Sequence, residues 1–208
     1  MPDVAISSLD IRLRKLFANA RKAEQQGDDS YVIEVCNEIL DAHPGCVAAR
    51  RIRHAVRLRR TPGGGKMLGR AAVALERAKS LFGQRHGGTA EDRLRRADEM
   101  LANRPTSKAG LRTLASAATE LDYPETALFA REVLAEIHGR SPATGLELAR
   151  ALLDRNRHAE AVQVAENLMQ RFPRDADVRE LMRQVSIAQT MATGKWESGG
   201  SFRDNLRQ

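Results

Sequence analysis

The chain has few aromatic residues, few cysteines and no long apolar run. Aromatics make up 4% of its 208 residues, which disfavours an aromatic-rich β-sandwich and favours helices packed through small side chains. Cys36 and Cys46 are too few for a disulfide framework. No uncharged apolar stretch approaches the roughly 18 residues of a membrane span, and the N-terminus lacks the features of a signal peptide. These absences predict a cytoplasmic protein.

Apolar residues recur at helical spacing along nearly the whole chain, and no stretch alternates as a strand does. Gly, Pro and Asp clusters separate the periodic segments. The pattern predicts an all-α fold of about ten helices, over residues 8–26, 30–42, 46–60, 67–83, 90–103, 107–121, 124–138, 143–155, 158–171 and 175–192.

Part of this pattern repeats with a period of 34 residues. Leu114-Ala115 recurs as Leu148-Ala149, and Leu134 recurs as Leu168. Ala127 and Ala161 are related in the same way. A helix–turn–helix unit repeating at this period is typical of a helical solenoid, in which each repeat packs on its neighbours.

The repeated residues resemble the tetratricopeptide repeat (TPR) family. Residues 142–175 fit its pattern most fully, with small residues at the helix crossing and a closing proline, Pro173. Residues 108–141 and 13–46 also fit, whereas 74–107 fit only in their second half. The positions that carry the resemblance include Ala20, Ala23, Cys36, Ile39, Ala118, Ala149, Leu152 and Ala165. The resemblance implies a right-handed superhelix of helix hairpins that binds other proteins.

The C-terminal segment around Trp196 and Phe202 is similar to the endings of uncharacterised bacterial TPR proteins, which implies a bacterial source. A glycine-rich stretch interrupts the repeat register earlier in the chain. The predicted organisation is therefore an N-terminal repeat with an arginine-rich helix at 1–60, a linker at 61–66, a TPR-like array with a capping helix at 67–191, and a tail at 192–208.

Basic charge is concentrated in one interval. The net charge is +7, and no acidic residue lies between Asp41 and Glu76. On the predicted helix 46–60, residues Arg50, Arg53, Arg57 and Arg60 are spaced to share one face. Guanidinium groups bind carboxylates and phosphates. Three interpretations follow: a solvated basic face, a site for an acidic protein surface, or a site for nucleic acid.

The TPR resemblance also implies a groove lined by the first helix of each repeat. The residues at those positions are predicted to bind a partner: Arg14, Phe17, Arg21, Arg112, Ser116, Leu146 and Arg150. Arginines among them favour an acidic peptide.

Catalytic and cofactor motifs have little support. The five histidines are scattered, without the spacing of metal ligands. Gly63-Gly64-Gly65-Lys66 lacks the first glycine and the Ser/Thr of a phosphate-binding loop. We therefore predict a non-enzymatic protein-binding adaptor without cofactor or metal, directed to an acidic peptide or protein surface. The alternatives are a nucleic-acid- or ribosome-associated basic protein using the arginines of helix 46–60, and a self-assembling scaffold; no membrane partner is expected.

Overall fold

A computed structural model of the protein describes residues 3–61 and 88–193, and this part of the chain is helical and contains no strand. A 3₁₀ turn at Ile6–Ser8 precedes nine α-helices in these ranges. They are α1 (Ile11–Gln26), α2 (Asp29–Ala42), α3 (Val47–Arg60), α4 (Ala90–Asn103), α5 (Lys108–Glu120), α6 (Pro124–His138), α7 (Ala143–Asp154), α8 (His158–Arg171) and α9 (Ala176–Thr193). The all-α prediction is confirmed. The predicted helix at 67–83 lies outside the described residues.

Local sequence signals set the helix ends. The side chain of Asp10 accepts a hydrogen bond of 2.8 Å from the Leu13 amide and so caps α1. Gly27 ends that helix in the left-handed conformation, with φ of 79°, which glycine adopts without steric penalty. Thr89 and Asp92 form a reciprocal capping box at the start of α4. These caps satisfy backbone groups that have no partner within a helix.

The small residues that predicted helix crossings are buried. Ala20, Ala149, Ala161 and Ala165 are completely inaccessible to solvent, and Ala127 is 2% exposed. Helix axes approach to roughly 8–10 Å only where the side chains between them are small. The burial therefore fits a TPR-like fold, whereas membership of the TPR family stays a prediction.

The chain forms two compact units, residues 1–134 and 135–208, and the division falls within α6. In the first unit, α1 packs on α2, α2 on α3, and α4 on α5. Its N-terminal helices share a core that includes Val32, Ile39 and Val56. In the second unit, α7 packs on α8, and α9 packs on both. The buried side chains there include Leu152, Leu168, Val178, Leu181 and Val185.

Asp3 joins the N-terminal segment to the start of α6. Its carboxylate accepts hydrogen bonds from the backbone amides of Glu125 and Thr126, at 2.5 and 3.2 Å, and from the Thr126 hydroxyl at 3.0 Å. Asp3 thus caps the start of α6 from 122 residues away in the sequence. Gly45 lies against the ring of Tyr123, where a Cβ atom would come within 2.9 Å.

The predicted division at 61–66 and the tail at 192–208 lie almost wholly outside the described residues, so that organisation stays a prediction. Residues from both sides of the proposed linker nevertheless meet within the first unit, because α3 contacts α4 through ion pairs. None of the described helices is long and apolar enough to cross a membrane.

Candidate functional site

The arginine face of α3 does not point into solvent as a whole. Arg50 is 2% and Arg53 is 7% exposed. The spacing on this helix also predicts that Ile52, Ala55 and Val56 pack inward, opposite these arginines. Ile52 and Val56 are buried, whereas Ala55 is exposed, so the prediction is wrong for Ala55. The prediction of one exposed face containing all four arginines is therefore wrong for Arg50 and Arg53. Side chains on two opposite sides of α3 are therefore buried. The amphipathic pattern of α3 alone cannot indicate this, because it contains no information about the helices that pack on it.

The two buried arginines share one acid. Both guanidinium groups donate to the same oxygen of Asp98 on α4, and the distance from Arg53 is 2.5 Å. Arg50 also donates to the Pro44 carbonyl at 2.9 Å, and Arg53 donates to the Asn37 amide oxygen at 2.9 Å. Burial lowers the pKa of the Arg53 guanidinium to about 10, while Asp98 opposes that shift. These contacts tie α2, α3 and α4 together.

A third arginine, Arg57, lies beside this pair and is half-buried. Its side chain has no hydrogen bond or ion pair within the described structure, and burial lowers its pKa. Three guanidinium groups therefore face one carboxylate. Their side chains, together with His54, Asp98, Leu101, Leu114 and Phe129, surround a cavity of about 10 Å³. We call these residues the buried arginine centre.

His54 is a neutral member of this centre. Burial, followed by the charges of Arg57 and Arg53, lowers its pKa to about 4. Its ring meets that of Phe129 edge to face, with the centroids 5.6 Å apart. Nε2 of His54 and Nε of Arg50 are both buried and lack a hydrogen-bond partner in the described part of the protein.

The remaining arginines of α3 reach the surface, and most of them interact with side chains of neighbouring helices. Arg51 pairs with Glu132 at 2.6 Å and lies over the Phe129 ring at 5.0 Å. Arg59 pairs with Asp29 at 2.8 Å. Arg60 is exposed and its guanidinium lies 3.4 Å from the Ser30 hydroxyl. Of the four predicted residues on this helix, partner binding stays a prediction for Arg57, which is half-buried, and for Arg60, which is exposed.

A different basic surface is exposed on α1. Its cations are Arg14, Lys15, Arg21 and Lys22, and together with exposed Ile11, Ala18 and Gln25 we call them the α1 basic face. Their spacing of three, four and seven residues places them on one side of the helix. The face extends over about 21 Å, at 1.5 Å per residue. Neither an ion pair nor a side-chain hydrogen bond neutralises any of the four cations among the described residues.

The opposite side of α1 explains why this face is free. Leu13, Ala20 and Ala23 are buried against the core of the first unit. Phe17 is half-buried and packs against the same core, so its ring flanks the basic face. Burial of these apolar groups fixes the rotation of the helix, and the cations are left in solvent.

The seven predicted groove residues differ in their exposure to solvent. Exposed side chains are Arg14, Arg21, Arg112, Ser116 and Arg150. Phe17 is half-buried. Leu146 is 7% exposed, so its predicted role as an apolar anchor for a partner is corrected: it belongs to the core of the second unit. The sequence pattern missed this because a buried and an exposed leucine on a helix look alike without the neighbouring helices.

The second unit contains a groove that the sequence did not identify, with a volume of about 240 Å³. It is lined by Ala135, Gly139, Ser141, Gly145, Leu148, Gln163, Val164, Asn167, Leu168 and Arg171. None of the seven predicted groove residues is among them. The spacing of Gln163, Asn167 and Arg171 on α8 is the one sequence signal that indicates it. Arg171 donates to the Gly139 carbonyl and lies over the Phe172 ring at 5.3 Å.

No group of His, Cys, Asp and Glu with the geometry of a metal site occurs among residues 3–61 and 88–193. Cys36 is buried and its pKa is raised to about 11, chiefly by that burial. Burial also raises the pKa of Cys46. A thiol reacts as its thiolate, so these two cysteines behave as small apolar core residues.

No protein-family model matches the chain, and no curated protein matches it. Among solved structures it is similar to the crystal structure of MamA protein, with 13% sequence identity and a TM-score of 0.42. That alignment covers 86% of this chain and 83% of the other. Similarity at this level assigns neither a family nor a function.

Proposed function

We propose that the protein is a non-enzymatic adaptor that binds an acidic peptide or protein surface through the α1 basic face. The observation that carries the proposal is the set of four exposed cations on α1, none of which forms an ion pair among the described residues. Arg59, by contrast, has already been neutralised by an acid of the same chain. Uncompensated cations on a rigid helix attract an acidic partner and orient it during encounter.

The chemistry of the face favours carboxylates. Arg14 and Arg21 offer planar forks of donors that bind a carboxylate through two hydrogen bonds. Ile11 is 64% exposed at one end of the face and provides an apolar contact. An acidic segment with an apolar residue near one end fits this arrangement. The predicted contribution of Arg14, Phe17 and Arg21 is retained in this proposal, whereas Arg112, Ser116 and Arg150 stay predictions.

The test compares two triple variants with equal charge. One replaces Arg14, Arg21 and Lys22 by Gln; the control replaces Arg140, Arg174 and Arg179, three exposed arginines of the second unit, by Gln. Exposed ion pairs contribute about 0.2–1 kcal/mol each, so loss of three weakens binding by about 3- to 150-fold. The control should bind as the unmodified chain does.

The binding partner is obtained by a pull-down from native lysate with and without nuclease. Proteins retained after nuclease, and lost with the α1 variant but not with the control, support the proposal. Equal loss with both variants contradicts it, because net charge and not the α1 basic face would then account for binding.

Nucleic acid is the competing ligand. Affinity for duplex DNA or RNA falls steeply with salt, by a power close to the number of phosphates contacted. Two results together would identify nucleic acid, and not an acidic protein, as the ligand. The proteins retained in the pull-down would disappear after nuclease treatment, and purified nucleic acid would bind with this salt dependence. Burial of Arg50 and Arg53 disfavours the version of this alternative that uses all four α3 arginines.

Self-assembly is favoured by one separate observation. Ile187 and Met191 lie one turn apart on α9 and are 51% and 68% exposed. Exposed apolar side chains at this spacing form a contact surface for another helix. Sedimentation at increasing concentration tests it: a constant monomer mass contradicts self-assembly, and a mass that rises until Ile187→Asp is introduced supports it. The cytoplasmic location and bacterial source stay predictions.

A further inference from the structure

The α1 basic face repeats with a period of seven residues. Its two Arg-Lys pairs are seven positions apart, and the uncharged residues of the face are separated by the same interval. The members are the pairs Arg14-Lys15 and Arg21-Lys22, and the residues Ile11, Ala18 and Gln25. Two turns of an α-helix contain about 7.2 residues, so each repeat returns to nearly the same direction. The face therefore presents the same cationic site twice along one side of the helix.

The distance between the two sites follows from helix geometry. Seven residues at 1.5 Å each place the two Arg-Lys pairs about 10.5 Å apart along the axis of α1. Acids near the face pair with other arginines, since Glu38 pairs with Arg12 and Glu24 lies 3.7 Å from Arg59. A ligand that neutralises the whole face must therefore present two anionic sites about 10.5 Å apart on one of its sides.

That distance distinguishes between the conformations of an acidic peptide. In an extended strand, acids three residues apart span about 10 Å, but they lie on opposite sides of the strand. In an α-helix, residues seven apart lie on one side at about 10.5 Å. A polyproline II chain comes nearest among extended forms, because its third residue returns to the same side after about 9.3 Å. The α-helix is the conformation that reproduces the period of the face.

The residue between the two cationic sites is small enough for a helix to approach. Ala18 is exposed, and it lies in line with Ile11, which is 64% exposed. Helix axes approach to about 8–10 Å where the side chains between them are small. A second helix lying along α1 therefore contacts Ala18 directly, with its acids beside the cations and an apolar residue against Ile11.

From this combination of period, charge and small residue we infer that the α1 basic face binds an acidic α-helix of another protein, whose carboxylates form two clusters seven residues apart. The inference rests on the proposed function and names the conformation of the acidic partner. In each site the arginine binds a carboxylate through two parallel hydrogen bonds, and the lysine acts as a point charge. From Ile11 to Gln25 the face matches a partner helix of about 15 residues.

Three synthetic peptides of equal net charge test the inference on the full unmodified chain. The first is a helix of about 15 residues with four glutamates at spacings of three, four and three residues, which place them on one face. The second has the same composition, with its glutamates distributed around the helix. The third has proline in place of alanine and a glutamate at every third position, the spacing that suits a polyproline II chain.

The first peptide should bind about 2- to 30-fold more tightly than either of the others, because it engages about two more carboxylates. Its helical circular dichroism signal should also increase on binding, which an extended chain does not produce. Equal affinities of the three peptides, or tighter binding of the third, would overturn the helical partner. If that binding still required the α1 cations, the acidic ligand of the proposed function would stand.

Two double variants determine whether binding takes place on α1. Arg21→Gln with Lys22→Gln removes one cationic site and should abolish the preference for the first peptide over the second. The control, Arg140→Gln with Arg174→Gln, removes the same charge from exposed positions of the second unit and should retain that preference. An equal effect of the two variants would contradict both the helical partner and the proposed function, and so would the failure of all three peptides to bind.

Duplex DNA measured alongside the peptides covers the competing class of ligand. DNA that binds more tightly than the first peptide, and loses affinity in the α1 variant but not in the control, would assign the face to nucleic acid and overturn the inference. The comparison of the three peptides uses the unmodified chain, so it decides the conformation of the ligand even if a variant failed to fold.

Discussion

Removal of the acid at the buried arginine centre should produce the largest stability loss of any single charge change in the described structure. The substitution Asp98→Asn keeps the size of the side chain and removes its charge. Arg50 and Arg53, 2% and 7% exposed, would then be buried without an acid. Breaking a buried ion pair costs about 3–5 kcal/mol. Since the Asp98 side chain itself is 22% exposed and solvent reaches it, we expect about 2–4 kcal/mol.

Urea denaturation followed by circular dichroism measures this loss. With a slope of about 2 kcal/mol per molar urea, the midpoint should fall by about 1–2 M. The matched control is Asp154→Asn, at an exposed position in α7, which should change stability by less than about 0.5 kcal/mol. The slope should be the same in both variants, because the surface exposed on unfolding does not change.

A loss below about 1 kcal/mol in Asp98→Asn would refute the reasoning. It would mean that water or other groups solvate the two guanidinium groups as well as the acid does. A further variant checks the cause. Adding Arg53→Met to Asp98→Asn removes one unpaired charge, and it should recover part of the lost stability, since apolar replacement of buried charges is often neutral or favourable.

Three further predictions concern other contacts. His54 has a folded-state pKa of about 4, below its ordinary value of 6.5, so the unfolded chain binds its proton first. Stability should therefore fall as pH decreases from 6.5 to 4, by up to about 1.4 kcal/mol per pH unit. Urea unfolding at a series of pH values should show a shallower decline in His54→Leu, and an unchanged decline would contradict this assignment. Gly145→Ala should destabilise the folded protein by about 1–3 kcal/mol, because the new Cβ would lie 2.7 Å from a methyl carbon of Leu168. In a double-mutant cycle, Leu168→Ala should relieve part of this loss. Additive changes in the free energy of unfolding would contradict the clash. Asp3→Ala removes the distant cap of α6 and should cost about 1 kcal/mol in thermal unfolding, whereas an unchanged midpoint would show that water replaces it.

Much of the fold was determined by the sequence alone. Apolar periodicity placed all nine described helices, and residues such as Asp10 and Gly27 set helix ends through contacts within a few positions. The alanines at repeated positions were correctly expected to be buried, because close helix crossing requires small side chains. These properties depend on local geometry and on a period, both of which can be read along one chain.

The functional surfaces depended on contacts between distant residues. The spacing of Arg50, Arg53 and Arg57 correctly placed them together on α3, but only Asp98, 48 positions beyond Arg50, explains why that side is buried. Leu146 likewise entered a core that its own helix pattern does not identify. Spacing determines which residues share a face of a helix. The packing of other helices determines which face is exposed to solvent. On α1 the apolar face packs against the core, so the cations on the opposite face remain in solvent.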